Sequence, residues 1–156
     1  MQIRAASHGD IAPLAAIYVA AFKVVDPSER WTEARAAELL SFFLNAQPRL
    51  AFIAEIDGQA IGGICGLLKP WWDGAHLVET EIFVAPESQR RGVGQALLSH
   101  FIATAREKHG ATIMESITFA DLDFPASWYM RLGFKDKVSW RMLHGETETL
   151  AKQLRR

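Results

Sequence analysis

Residues 83–97 read Phe-Val-Ala-Pro-Glu-Ser-Gln-Arg-Arg-Gly-Val-Gly-Gln-Ala-Leu: a strand end, a turn carrying two arginines, and a helix that opens on alternate glycines. The first turn of a helix has N–H groups without internal acceptors and the positive end of the peptide dipoles, so it attracts anions. Gly92 and Gly94 remove side chains that would hold a pyrophosphate off the backbone, and Arg90 and Arg91 can add charge-assisted bonds. The segment therefore reads as a phosphate cradle, with a solvated basic turn as the alternative. Two common nucleotide patterns fail here. A dinucleotide-binding turn needs a small residue where this chain has Leu97, and no Gly-Lys-Ser/Thr follows as a P-loop requires.

Upstream, Glu79 and Glu81 lie two apart on the strand that enters the turn. Strand alternation places both carboxylates on one face, separated by about 6 to 7 Å, and a bulge would reverse that facing. A desolvated carboxylate there gains basicity, whereas Glu-Thr-Glu is equally the pattern of a solvent-facing strand. Other reactive types have less support. Cys65 adjoins no His or Lys and reads as a buried apolar thiol. His76, His100, His109 and His144 share no short metal spacing, so no metal is expected.

The elements that must position these groups follow from periodicity and turn chemistry. Residues 2–5 read as a first strand, followed by a helix capped by Ser7 or Asp10 with Ile11, Leu14, Ala15, Tyr18, Val19 and Phe22 on its apolar face, stopping near Asp26-Pro27. A second helix is expected over residues 32–45. Asp57-Gly58 between two apolar runs, residues 50–56 and 59–68, predicts a tight hairpin. Residues 69–74, rich in Pro, Asp and Gly, read as a loop, and residues 76–84 as a further antiparallel strand. Gly62, Gly63 and Gly66 weaken their strand unless something approaches its backbone closely, a neighbouring side chain or a ligand. A long helix over 92–108 ends at His109-Gly110; then come a strand over 112–118, a short helix over 124–131, a last strand over 138–143 and a polar tail from Gly145. No linker, repeat or charge block divides them, so the expectation is one mixed α/β domain spanning residues 1–156.

Composition bounds the function. At 156 residues, 49% apolar and 22% charged, the chain suits one self-supporting core. A single cysteine excludes an intramolecular disulfide, and the opening residues lack a leader's apolar stretch, so a cytoplasmic protein is expected. Lys+Arg 17 against Asp+Glu 18 gives a formal charge of -1, which argues against nucleic acid, and the longest apolar run is too short for a membrane span.

The run Gln89-Arg90-Arg91-Gly92-Val93-Gly94 matches the Gln/Arg-x-x-Gly-x-Gly/Ala pattern of the GNAT superfamily of acyl-CoA N-acyltransferases, preceded by Val84-x-Pro86-Glu87. Tyr129-x-x-Leu132-Gly133-Phe134 is similar to that family's C-terminal stretch, and the order of elements agrees. The resemblance implies a mostly antiparallel sheet splayed at strands four and five. It implies acetyl-CoA as cosubstrate, with pyrophosphate on the N–H groups of Gln89, Arg90, Arg91, Gly92, Val93, Gly94, Gln95 and Ala96, and the pantetheine arm along Phe83, Val84 and Ala85. It also implies transfer to a primary amine of a small molecule or peptide by direct attack in a ternary complex.

In that chemistry Tyr129 is the expected proton donor to the departing thiolate, since a phenol near pKa 10 stays protonated at neutral pH. Glu79 or Glu81 would deprotonate the amine, and a backbone N–H near Val84 would meet the thioester oxygen. Where many members carry an Asn that holds the cofactor, this chain has Leu122 between Asp121 and Asp123, and Ser127 is a further cofactor candidate. Trp31, Trp71 and Trp72, with Asp26, Glu29 and Asp73, are candidates for the acceptor side or a dimer seam; such proteins often pair as homodimers. A noncatalytic acyl-CoA sensor is the competing reading.

Overall fold

The computed structural model describes residues 1–155, and the chain forms two compact units, Met1–Ile117 and a second that begins at Thr118. In the first, β1 (Gln2–Ala5), α1 (Ile11–Val25), α2 (Glu33–Ala46), β2 (Ala51–Ile56), β3 (Gln59–Trp71), β4 (Gly74–Val84), α3 (Val93–His109) and β5 (Ala111–Met114) follow in order. The sheet order is β1-β2-β3-β4-β5, antiparallel throughout except for the parallel β4–β5 pair. The helix α3 makes the crossover that a parallel pair requires. The resulting architecture is mixed α/β around a mostly antiparallel sheet, as the sequence predicts.

Each face of the sheet has its own helices. Leu14, Ala15, Tyr18 and Ala21 of α1 and Ala36, Leu40, Phe43 and Leu44 of α2 bury against Ile53, Cys65 and Phe83. Taken with the turn before it, α1 has the length and apolarity of a membrane-crossing segment, yet this stripe is committed to the core. On the opposite face Phe101 of α3 lies edge-on to Phe52 at 6.5 Å. Ile53 and Phe52 are strand neighbours and so point to opposite sides.

Two glycines allow the layers to approach. A Cβ on Gly62 would lie 2.8 Å from the carbonyl oxygen of Phe83, and one on Gly63 would lie 2.8 Å from the Phe83 ring and 3.0 Å from Leu14. Close packing therefore accounts for the glycines in β3. Asp57 and Gly58 both take positive φ, 51° and 77°, in the turn their types predict.

Four expectations need correction. Residues 69–74 are not a loop: β3 runs through Pro70 to Trp71, and β4 starts at Gly74. The ladder to β2 ends at Cys65, so beyond it that side of β3 is an edge, where proline is tolerated. The strand predicted over 112–118 is shorter, because β5 pairs only with Ala75, His76 and Leu77 before β4 bulges. In the second unit α4 spans Ala126–Arg131, but residues 138–143 form no strand; Val138 is 92% and Leu143 85% exposed, and a β-prone run without a ladder partner has nothing to stabilise it. Beyond Gly145 the chain forms α5 (Thr147–Gln153), built of good helix formers with a Lys152–Glu148 bond one turn apart.

His76 clasps the β3–β4 turn to β5. Its ring is buried, Nδ1 lies 2.6 Å from Glu115 Oε1, and Nε2 lies 2.7 Å from Asp73 Oδ1. Two acceptors facing two ring nitrogens demand two donors, hence an imidazolium. The bond to Glu115, then that to Asp73, raises the His76 pKa against the opposing effect of burial. A raised folded-state pKa contributes stability that is complete below the unfolded value and lost as pH rises through the folded one.

Two outcomes follow for stability. Gly62→Ala is expected to destabilise the protein by roughly 1–3 kcal/mol, since the obstructing atom belongs to the backbone, and a urea midpoint lowered at constant m-value checks this. The stability advantage of the wild type over His76→Gln should be greatest near the ordinary imidazole value of about 6.5 and shrink as the pH rises above it, followed by thermal melts from there into the alkaline range.

Candidate active site

The phase of β4 determines what its two edges offer. The Ala85 N–H donates to the Ile61 carbonyl at 2.9 Å, and the register runs on through Gly62↔Val84, Gly63↔Phe83, Ile64↔Ile82 and Cys65↔Glu81. Bonded and non-bonded pairs alternate in an antiparallel ladder, so Glu81, Phe83 and Ala85 turn their backbone groups to β3 while Ile82 and Val84 turn theirs outward. Pairing with β5 stops at Leu77, so among the described strands none covers that outward edge. Of the residues singled out beside the turn, Val84 has backbone groups on the open edge; Phe83 and Ala85 do not. Ile82 joins Val84 there, and period-two phase, undetermined from sequence, is what had concealed it.

The strand then enters the glycine turn. Gln89 folds back so that its Nε2 donates to the Val84 carbonyl at 3.0 Å. Arg90 takes φ 60° and Gly92 φ 82°, both left-handed, and Gly92 stands as the residue preceding α3. Among the described residues no side chain caps the helix, and its first satisfied amide is Ala96, which donates to Gly92 O at 3.0 Å. The N–H groups of Val93, Gly94 and Gln95 therefore point forward without helical acceptors. A Cβ at Gly92 would meet nothing within 4 Å, so the space before the helix is open. Arg90 and Arg91 are exposed.

The two carboxylates have different surroundings. The register shifts between Cys65↔Glu81 and Leu67↔Val78, so Glu79 and Thr80 both stand opposite Gly66, and Glu79 takes φ 50°. This is the bulge that breaks simple alternation. Glu79 is exposed, whereas Glu81 is half-buried and accepts a 3.0 Å hydrogen bond on Oε2 from the Tyr18 hydroxyl. Burial raises the Glu81 pKa, the Tyr18 bond opposes that rise, and the charges of Glu29 and Glu79 add to it. Cys65, opposite Glu81, is buried and its thiol is pushed well up by that burial and then by the Glu81 charge, as suits an inert wall.

Tyr18 is the residue sequence reasoning passed over, because it sits within an apolar helical stripe. A phenol in such a stripe is itself a signal, since a buried hydroxyl needs a partner. Trp31 packs edge-on to Tyr18 at 5.0 Å and donates its Nε1–H to Glu29 Oε2 at 2.7 Å. Trp71 and Trp72 stand apart from that group on the β3–β4 turn, Trp72 at 87% exposure and Trp71 beneath the Lys69 ammonium at 4.4 Å.

In the second unit Tyr129 is buried in α4, its ring 4.9 Å from Trp128 and 5.0 Å from Phe134. Gly133 takes φ 101° and lets the chain return so that the Phe134 N–H reaches the Tyr129 carbonyl at 3.2 Å. The Ser127 hydroxyl donates to Asp123 Oδ2 at 3.2 Å, which gives Asp123 the part of a helix-start acceptor.

The chain is similar to known acetyltransferases. L-2,4-diaminobutyric acid acetyltransferase of Nocardia farcinica is 29% identical over 110 residues, 65% of this chain and 55% of that protein. Streptothricin acetyltransferase A of Bacillus subtilis is 28% identical over 99 residues, 62% of this chain and 56% of that protein. The chain thus spans about half the length of the curated relatives it matches. Among solved structures, a putative acetyltransferase from Agrobacterium tumefaciens superposes with a TM-score of 0.71 at 22% identity, covering 93% of this chain and 100% of that one. An aminoglycoside antibiotic 6'-N-acetyltransferase from Acinetobacter haemolyticus gives 0.69 at 18%, covering 94% and 98%. These two share the fold. Residues 13–134 match the model of the acetyltransferase (GNAT) family, and the chain belongs to that family.

Proposed function

We propose that the chain is an acetyl-CoA-dependent N-acetyltransferase that moves an acetyl group onto a primary amine of a small molecule by direct attack in a ternary complex. The observation that carries this reading is the outward edge of β4 at Ile82 and Val84, which no described strand covers and which runs directly into the N-terminus of α3, where no side-chain cap is bonded. The residues fit the cosubstrate: amide-bearing chain matches a strand edge, and a diphosphate matches the forward N–H groups of Val93, Gly94 and Gln95 with Arg90 and Arg91 beside them. When bound, it supplies an activated acetyl thioester.

The chain's own groups do the rest. Glu81, held by Tyr18, accepts the proton that the acceptor amine must lose; its raised pKa brings it closer to that of the amine. The Val84 N–H, outward on the open edge, is the donor for a developing oxyanion. Tyr129 is assigned the proton for the departing thiolate on the family motif it occupies. The names of the relatives, acetyltransferases of diaminobutyric acid and streptothricin, support a small amine-bearing acceptor.

A panel of amines, including 2,4-diaminobutyrate and aminoglycosides, offered with acetyl-CoA and a free-thiol reagent should show thiol release that depends on the amine. Tight binding of coenzyme A with no amine-dependent release across the panel would instead leave a binding module. Gly92→Val should weaken coenzyme A binding about tenfold in calorimetry, because a β-branched residue resists the left-handed conformation by about 1–2 kcal/mol. Tyr129→Phe should lower kcat by about a hundredfold or more with coenzyme A affinity little changed.

A further inference from the structure

Tyr18 lies on the third turn of α1 with 1% of its surface exposed, and three aromatic side chains hold its ring: Phe22 stacked at 4.3 Å, Trp31 edge-on at 5.0 Å and Phe83 edge-on at 5.1 Å. A ring fixed in this way leaves its hydroxyl one direction in which to point, and there it meets Glu81 Oε2 at 3.0 Å. We propose that Tyr18 is a positioning residue that fixes the Glu81 carboxylate as the base for the acceptor amine. This rests on the acetyltransferase reading of the site.

A half-buried carboxylate lacks the solvation it has at the surface. In water its rotamers are free and both oxygens are solvated; beside α1 it loses solvent and needs a donor to stay ionised. The groups around Glu81 are the Tyr18 phenol from α1, the Cys65 thiol from β3, Glu79 from its own strand and Glu29 from the segment after α1. The Tyr18 phenol is the group among these that donates to Glu81, and burial and the adjacent Glu81 charge push its own ionisation far above the ordinary range. The phenol therefore stays protonated, and a donor, through the range in which Glu81 ionises. Its bond engages Oε2, so Oε1 is the oxygen left to receive a proton. Removing the hydroxyl while keeping the ring would release the carboxylate from its fixed orientation and make it easier to protonate.

The test pairs a titration with a rate. Glu81 is titrated by carbon-13 NMR of its side-chain carboxyl in the ligand-free protein, and kcat/KM for the amine is followed against pH. In Tyr18→Phe the Glu81 midpoint should rise by about one pH unit, and the acid limb of kcat/KM should rise with it. A residue with a purely structural role would lower the rate at all pH values without moving the limb. In a Glu81→Gln background, Tyr18→Phe should have no further effect on the rate. Replacing Tyr18 with a ring-fluorinated tyrosine, a stronger donor of almost the same shape, should move both midpoints down and keeps the test open if the phenylalanine variant folds poorly. An unmoved Glu81 titration overturns the proposal. A titration that moves while the acid limb stays fixed also overturns it, and leaves the acetyltransferase reading intact. Absence of acetyl transfer by the wild type, with the titration responding, removes the functional reading and this role with it.

Discussion

The bond from the Ala85 N–H to the Ile61 carbonyl holds β4 in one phase against β3, and the candidate site is a consequence of that phase. With it, Ile82 and Val84 show their backbone to the open edge while the side chains of Glu81 and Phe83 point towards α1. A slip of one residue would exchange these sets, placing Glu81 on the α3 face and Phe83's backbone outward. The bulge at Glu79 and Thr80 sets this stretch off from the part of β4 that pairs with β5. One strand thereby supplies a structural ladder at its start and, at its end, an edge that no described strand covers.

The core serves that arrangement. Gly62 and Gly63 let β3 lie against Phe83, and Phe83 in turn forms part of the aromatic wall around Tyr18. The phenol's position is therefore set by packing rather than by the hydrogen bond it makes. Such a donor keeps its geometry whether Glu81 is charged or neutral, as a preorganised site requires.

What was legible in the sequence was local. Asp57-Gly58 specified the hairpin, the Gly92 and Gly110 ends delimited α3, and the Gln89 to Gly94 pattern marked the turn, because each depends on residues within a few positions of one another. What escaped was long-range. Pro70 stays in β3 because β2 has ended, the run 138–143 has strand-forming residues but no partner, and Tyr18 meets Glu81 across 63 positions of chain. The separation of Glu79 from Glu81 turns on a bulge that Glu-Thr-Glu does not encode by itself.

The Gln89 side chain gives the outward edge of β4 an electrical sign. By satisfying the Val84 carbonyl it masks the acceptor there and leaves the neighbouring Val84 N–H, so this stretch presents a donor where an ordinary strand presents both partners in turn. A carbonyl oxygen brought to that point would meet a donor; a strand from another molecule, which needs a donor and an acceptor in strict alternation, would meet an acceptor already engaged by one hydrogen bond. The same amide thus interrupts the donor–acceptor alternation of an exposed sheet border, the kind of break that disfavours pairing with a further strand.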